Sequence, residues 1–302
     1  MKRRDFLIKS AIMGVGASLP VPKLFKGFQD SPFTDLRRNV GTFTGRGGTI
    51  GWLINDDAVV VIDSQYPESA TACVDGLKEK AEVPFDMLIN THHHGDHTAG
   101  NTVFKEVVGK IVGHENVPKL QRRSAESRGK EALDTLVVPD TTFTDTWSED
   151  VGDETVHLTY YGPAHTSGDS VTYFEKANVA HMGDLMFNRA YPYIDRGAGA
   201  SVKNWIEVLN NTMKDLPKDA IYIFGHGNQD YGITGNYEDL QLKVDFLEAL
   251  LEYTAKGIQQ GKSKEELAGI KELKGFEVFN ATGWRLPLSA NIEVAYAELS
   301  ED

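Results

Sequence analysis

Thr91-His92-His93-His94-Gly95-Asp96-His97 follows the apolar run Asp86 to Asn90, which reads as a short buried strand, and leads into a helical pattern. Spacing inside this run is the informative feature. His92 and His94 are two apart, so on extended backbone both point the same way and can reach one ion. Asp96 and His97 are adjacent and start the next helix, from which they can reach a second. Neutral imidazole and carboxylate suit a borderline divalent metal such as zinc. Nine histidines in 302 residues would rarely form His-x-His-x-Asp-His by chance.

Upstream of the run, residues 29–40 read as a poorly structured lead-in and β character begins at Thr42. Gly45-Arg46-Gly47-Gly48 is a turn signal between two short β-prone runs, the second ending at Trp52-Leu53-Ile54. Ala58-Val59-Val60-Val61-Ile62-Asp63 is rich in β-branched residues and reads as a buried strand. Helical spacing over 67–82 stops before Pro84. Downstream, the pattern predicts a helix over 98–107, a strand over 110–113 and a charged helix over 116–134. β-prone runs cover 141–147, 154–161 and 170–175, and a strand over 178–183 leads into Asp184. A helix over 201–215 and a strand over 220–224 precede Gly225-His226-Gly227. The remainder, 238–271, is largely helical, with a short last helix over 289–299.

Three further candidate ligands sit directly after predicted strands. His165 lies in Gly162-Pro163-Ala164-His165-Thr166-Ser167-Gly168-Asp169. Asp184 lies in His181-Met182-Gly183-Asp184, and His226 lies between two glycines. Strand ends and the loops beyond them are where open α/β sheets place their chemistry. His93 reads as a spectator at a variable position. His114 and His181 read as surface or packing residues, and His157, alternating within a strand, as a non-ligand.

Together these motifs resemble the metallo-β-lactamase superfamily, over about residues 42 to 228 and at seven ligand positions. The resemblance implies an α/β fold, a four-layer αβ/βα sandwich with the site on one rim between two β-sheets. It implies two zinc ions, with iron or manganese as substitutes. By it, His92, His94 and His165 hold the first ion, Asp96, His97 and His226 the second, and Asp184 bridges both. It also implies a metal-activated hydroxide as nucleophile, oriented by Asp96 as the catalytic acid–base group. Asp63, at the end of the Val-rich strand, resembles the family aspartate that accepts from a ligand imidazole and fixes its tautomer.

Composition narrows the partners. The formal net charge is −13 and the sequence pI about 5.2, the opposite of a nucleic-acid footprint. Met1-Lys2-Arg3-Arg4-Asp5-Phe6-Leu7 resembles the start of a twin-arginine export signal. On that reading residues 1–28 are a signal peptide, residues 29–302 form the hydrolase-like domain with a mainly helical part from about 238, and the mature protein is periplasmic. Loss of 1–28 removes six basic residues and one acid, taking the charge from −13 to −18. The apolar run Ser10 to Leu19 is short of the ~20 residues a spanning helix needs. With no second such run, no stable membrane span is expected after signal removal. Cys73 is the only cysteine, so no intramolecular disulfide can form. Oligomeric state has no signature in the sequence.

Substrate preference is less legible than metal binding. The leading expectation is hydrolysis of a small ester, lactone or amide. Met186 to Gly199 is expected to wall the pocket, with Phe187, Asn188, Arg189, Tyr191 and Tyr193 as contacts. A true zinc β-lactamase is the second reading. The β-lactamases with this ligand spacing carry Cys where Asp184 stands, and a Lys three residues later where this chain has Phe187. A cytosolic glutathione thioester fits poorly with export. The third reading, from a different class, is a non-catalytic metal-binding accessory protein of a periplasmic redox system.

Overall fold

The computed structural model describes residues 31–280 and 286–301, so the expected signal peptide lies outside the described residues. Seven strands form the first sheet in chain order: β1 (Phe33–Arg37), β2 (Val40–Phe43), β3 (Ile50–Ile54), β4 (Val59–Ile62), β5 (Phe85–Asn90), β6 (Val108–His114) and β7 (Thr141–Phe143). Antiparallel pairing gives way to parallel pairing at β4–β5. The second sheet contains β8 (Thr146–Val151), β9 (Glu154–Thr159), β10 (Val171–Phe174) and β11 (Val179–His181). A two-residue strand, β12 (Phe187–Asn188), comes next in the chain and stands outside that sheet. Beyond it, β13 (Ile221–Ile223) pairs parallel with β11, β14 (His226–Gly227) pairs with β12, and β15 (Thr234–Gly235) closes the second sheet's edge.

Side-chain alternation along the strands builds the layers. Val60 and Ile62 of β4 point between the sheets, where they meet Val156, Leu158, Phe174, Val179 and Ile223. Val59 and Val61 point the other way, onto a helical layer that includes Ala70, Cys73, Val74 and Leu77 of α1 (Pro67–Lys80). Short helices α2 (Gly95–Thr98) and α3 (Asn101–Phe104) follow β5, and α4 (Asn116–Arg128) and α5 (Lys130–Asp134) follow β6. On the far face of the second sheet lie α6 (Val202–Asp215), α7 (Tyr237–Gln259), α8 (Lys264–Leu267) and α9 (Leu288–Ser300). Helix, sheet, sheet, helix is the expected four-layer αβ/βα sandwich. None of the described helices is long and apolar enough to cross a membrane.

Three local expectations are corrected. Residues 33–43 form a hairpin rather than an unstructured lead-in. Arg38 and Asn39 both take positive φ, 46° and 61°, as a two-residue hairpin turn requires. The expected helix over 98–107 starts earlier, at Gly95, and breaks at Ala99–Gly100. There the Gly100 amide donates to the Gln65 carbonyl at 2.7 Å, and a Cβ at Gly100 would lie 2.2 Å from the Ser64 carbonyl oxygen. Finally, 141–147 is two strands in different sheets, since the chain crosses at Thr144–Asp145. Local β preference carries no information about which sheet a residue joins.

Candidate metal centre

Five chain segments bring the site together, each leaving the C-terminal end of a strand: β4 (Asp63), β5 (the histidine run), β9 (His165), β11 (Asp184) and β13 (His226). The loops are tied to one another by backbone. Thr49 N donates to Gly225 O at 2.8 Å, Gly225 N to Gly183 O at 2.8 Å, and Gly48 N to Asp96 O at 3.0 Å. Close approach explains the glycines. A Cβ on Gly48 would lie 2.1 Å from His97 Cε1, and one on Gly225 would lie 2.1 Å from Asp184 Oδ1.

All seven candidate ligands converge. His92 Nε2, His94 Nδ1 and His165 Nε2 face one another, with His94 Nδ1 at 3.2 Å from the first and 2.9 Å from the third. Asp184 Oδ2 lies 3.8 Å from His92 Nε2 and 3.5 Å from His165 Nε2. Its other oxygen, Oδ1, lies 3.1 Å from His97 Nε2 and 3.4 Å from His226 Nε2. Asp96 Oδ2 completes this second group at 3.1 Å from His226 Nε2. Both groups are tight enough for each to hold a metal ion, their ligand atoms lying within 4.8 Å of one another.

What lies behind each imidazole tests whether the donor set suits a metal. His92 Nδ1 is 3.0 Å from Thr91 Oγ, which donates to Asp63. His97 Nδ1 meets Asp63 Oδ2 at 2.7 Å, and His165 Nδ1 meets the Tyr193 carbonyl at 2.8 Å. His94 Nε2 meets Asp195 Oδ2 at 3.0 Å. These acceptors hold a proton on each remote nitrogen, so in His92, His94 and His165 a lone pair on the converging nitrogen is available to a cation. Three converging imidazole nitrogens cannot satisfy one another by hydrogen bonds. The donor set therefore fits a divalent ion, with mixed N and O ligands suited to zinc.

Electrostatics differ between the two groups. Burial lowers the pKa of His92 well below its usual value and that of His165 to about 3, so both are neutral. Burial also acts to lower His97 and His226, but neighbouring carboxylates prevail. Asp184, Asp63 and Asp96 raise His97 well above its ordinary value, and Asp184 and Asp96 raise His226 to about 9. The carboxylates of the second group thus favour positive charge on its imidazoles.

The expected pocket wall is only partly at the site. Phe187 is buried and stacks on the His226 ring at 5.3 Å, and Tyr193, 47% exposed, lies 5.5 Å from the His94 ring. The other three are turned away. Asn188 donates to the Tyr231 and Gly232 carbonyls at 3.1 and 3.0 Å. Arg189 pairs with Asp239 at 2.8 Å and bonds Asn188. Tyr191 is buried against Phe246 and Phe279 in the helical core. Asp63 stands behind His97 and Thr91 as described. Its φ of 61°, with 54° at Gln65, marks the sharp turn that aims its carboxylate inward. His114 packs on Tyr160 at 3.8 Å, and His181 hydrogen-bonds Thr49 O at 3.1 Å. Asp195 was not apparent from the sequence, because it lies 101 residues from His94 in a loop with no motif. Asp169, accepting from Thr166 N and Oγ at 2.7 Å each, shapes the loop that carries His165.

A model of the metallo-beta-lactamase superfamily matches residues 44–226, more than half of the chain, and the chain belongs to that superfamily. It is a hydrolase of this superfamily with a His/Asp cluster able to bind metal. The metallo-beta-lactamase type 2 of Elizabethkingia meningoseptica is 23% identical over 212 residues, 70% of this chain and 81% of that protein. A hydroxyacylglutathione hydrolase of Pelagibacter ubique is 25% identical over 212 residues, 67% of this chain and 78% of that one. Among solved structures, a stereoselective inverting sec-alkylsulfatase from Pseudomonas sp. shares the fold, with TM-score 0.68 at 15% identity. The match covers 88% of this chain but 50% of the sulfatase, so this chain spans about half its length.

Proposed function

We propose that this protein is a dinuclear metal hydrolase, with zinc as the natural metal, acting on a small ester, lactone or amide. One observation carries the reading: Asp184 turns Oδ2 to His92 and His165 and Oδ1 to His97 and His226. A carboxylate so shared is what two ions held by these two groups require. His92, His94 and His165 would hold one ion, and Asp96, His97 and His226 the other. Bound metal supplies Lewis acidity there, lowering the pKa of water and polarising the electrophile.

The chain's own residues do the rest. Asp96 is 30% exposed while Asp184 is 4% exposed, so Asp96 is the carboxylate that substrate and water can reach. Its pKa is held down to about 2 against the effect of burial, chiefly by His97 and His226, which keeps it an acceptor at neutral pH. It accepts a hydrogen bond from the attacking water and so orients it. Tyr193 and Phe187 supply apolar contact beside His94 and His226.

A β-lactamase reading is weakened by Arg189. Its guanidinium, the nearby candidate for a substrate carboxylate, is engaged by Asp239. Export to the periplasm by the twin-arginine start belongs to this proposal as well. N-terminal sequencing of the periplasmic fraction tests it, and a cytosolic protein retaining Met1 overturns it.

Metal analysis combined with a substrate panel tests the activity. Two equivalents of metal are expected, with turnover of aryl esters or lactones and poor turnover of penicillins, cephalosporins and carbapenems. A stoichiometry well below two with no hydrolysis of any panel member refutes the proposal. Retention of biological effect by Asp96→Ala would favour the non-catalytic reading instead.

A further inference from the structure

A second cavity, of about 540 Å3, lies beside the histidine run. Within Thr91–His97, His92 and His94 join the candidate ligand cluster, whereas His93 and Gly95 line this cavity, with His93 Nε2 3.8 Å from Asp195 Oδ2. Its other walls come from α4 and α5, with Gln121, Arg128, Ala132 and Leu136 among them. No Asp or Glu is among the residues lining it.

Two buried polar groups here are unsatisfied. Gln121 is 3% exposed, yet neither its amide oxygen nor its amide nitrogen has a hydrogen-bond partner among the described residues. His93 is 8% exposed, and its Nδ1 likewise has none. Buried amide and imidazole groups without partners cost free energy, and each such group in a folded protein calls for an explanation. These atoms are closed off from the cavity as the side chains stand, so a ligand that supplies both a donor and an acceptor would satisfy them once Gln121 and His93 turn toward it. Arg128, exposed at the rim, makes a long hydrogen bond of 3.4 Å from Nε to the Ser124 carbonyl, its one such bond among the described residues. Ala132 and Leu136 offer apolar surface to the remainder of the ligand.

We propose that the cavity between the histidine run and α4–α5 is a binding site for a small carboxylate that also carries a hydroxyl or amide N–H and an apolar group. Arg128 takes the carboxylate, Gln121 and His93 Nδ1 pair with the amide or hydroxyl, and Leu136 and Ala132 receive the apolar group. The inference does not depend on the hydrolytic reading, since none of these residues belongs to the seven candidate ligands.

The probe is hippurate, which has a carboxylate, an amide N–H and a phenyl ring. Calorimetric titration is expected to show binding to both metal-loaded and chelator-treated protein. Hippuramide, without the charge, and 5-phenylvalerate, without the amide, are expected to bind more weakly. Arg128→Ala and Gln121→Leu should each raise the hippurate Kd about tenfold, the usual scale for one charge-assisted or buried hydrogen bond. Ala132→Trp, which fills the cavity, should abolish binding. On the unsubstituted protein, NMR contacts are expected between the phenyl protons and the Leu136 methyl groups. Absence of hippurate binding overturns the proposal. So does binding that disappears on chelation, which would locate it at the metal ligands. Binding unchanged by all three substitutions, or absence of the Leu136 contacts, overturns it equally.

Discussion

Asp195 shows how a single side chain can govern the site without joining it. Its Oδ2 sits 3.0 Å from His94 Nε2, and its Oδ1 accepts from Ala198 N at 3.0 Å, so the carboxylate is fixed at both ends. Hydrogen bonding to His94 holds its pKa below the usual carboxylate value. It therefore stays ionised and keeps the His94 proton on Nε2, leaving Nδ1 for metal. Asp195→Ala should weaken metal binding at the His92/His94/His165 group about 10–100-fold. Competition with a chromophoric chelator reads this directly, and an unchanged affinity would contradict the assignment. Gly48 acts by what it lacks. Gly48→Ala would drive a methyl into the His97 ring. The expected result is loss of metal from the second group and most of the activity, with secondary structure by circular dichroism intact. A fully active Gly48→Ala enzyme would show that the turn can shift at little cost.

At the scale of elements, α7 carries an unusual burden. Asn236 and Asp239 form a capping box at its start, and Leu240, Val244, Leu247 and Leu250 face the core. Lys243 lies on the same buried face. Its ammonium group lies 5.3 to 5.8 Å from the rings of Trp205, Phe187, Phe246 and Phe279, with no hydrogen-bond partner among the described residues. Burial holds its pKa well below the ordinary lysine value. An amine so placed destabilises the fold, and Lys243→Met should raise stability by about 1–3 kcal/mol at pH 7. The sign of the pH effect follows. Between the lowered folded pKa and the unfolded value near 10.4, the unfolded chain binds the extra proton. Wild-type stability thus rises with pH there, by up to about 1.4 kcal/mol per unit. Denaturant unfolding should show the advantage of Lys243→Met shrinking from pH 7 to pH 9.5. A constant advantage would mean that Lys243 stays charged in the fold.

Elements also mark where sequence patterns run out. The strand β4 was legible because Val59 to Ile62 is continuous and β-branched. The hairpin turn at Arg38–Asn39 was not, since Arg is a poor turn signal and β1 is an exposed edge strand. Nor could periodicity show that Tyr191 and Tyr193, two apart with one intervening Pro192, end in opposite settings. One is in the helical core and the other is at the site's mouth.

Over the whole molecule, the candidate ligands come from both sheets. Four of the seven candidate ligands follow β5 of the first sheet, and three follow strands of the second. Metal held between them should therefore stabilise the fold by mass action. Chelation is expected to lower Tm, and zinc readdition to restore it. An unchanged Tm would mean that the sheets need no such tie. Metal affinity should also depend on pH. His226, raised to about 9, is protonated in the metal-free protein at neutral pH, as is His97. Metal must displace those protons, so affinity at the second group should rise about tenfold per pH unit for each proton released, from pH 6 to 8. The neutral His92 and His165 should give the first group a shallower slope. Two equal slopes in a stepwise titration would refute this difference.

By itself, the sequence picked out the candidate ligands, because His-x-His-x-Asp-His is a local pattern whose spacing on extended backbone already fixes direction for His92 and His94. It also determined the layered class, since buried strands and helices alternate in order along the chain. Tertiary structure alone decided which oxygen of Asp184 meets which group of candidate ligands and that Asp195 stands behind His94. It alone turned Arg189 toward Asp239 and opened a cavity behind His93. Those outcomes depend on contacts between residues dozens of positions apart, which exist only after the two sheets pack and which no local preference encodes.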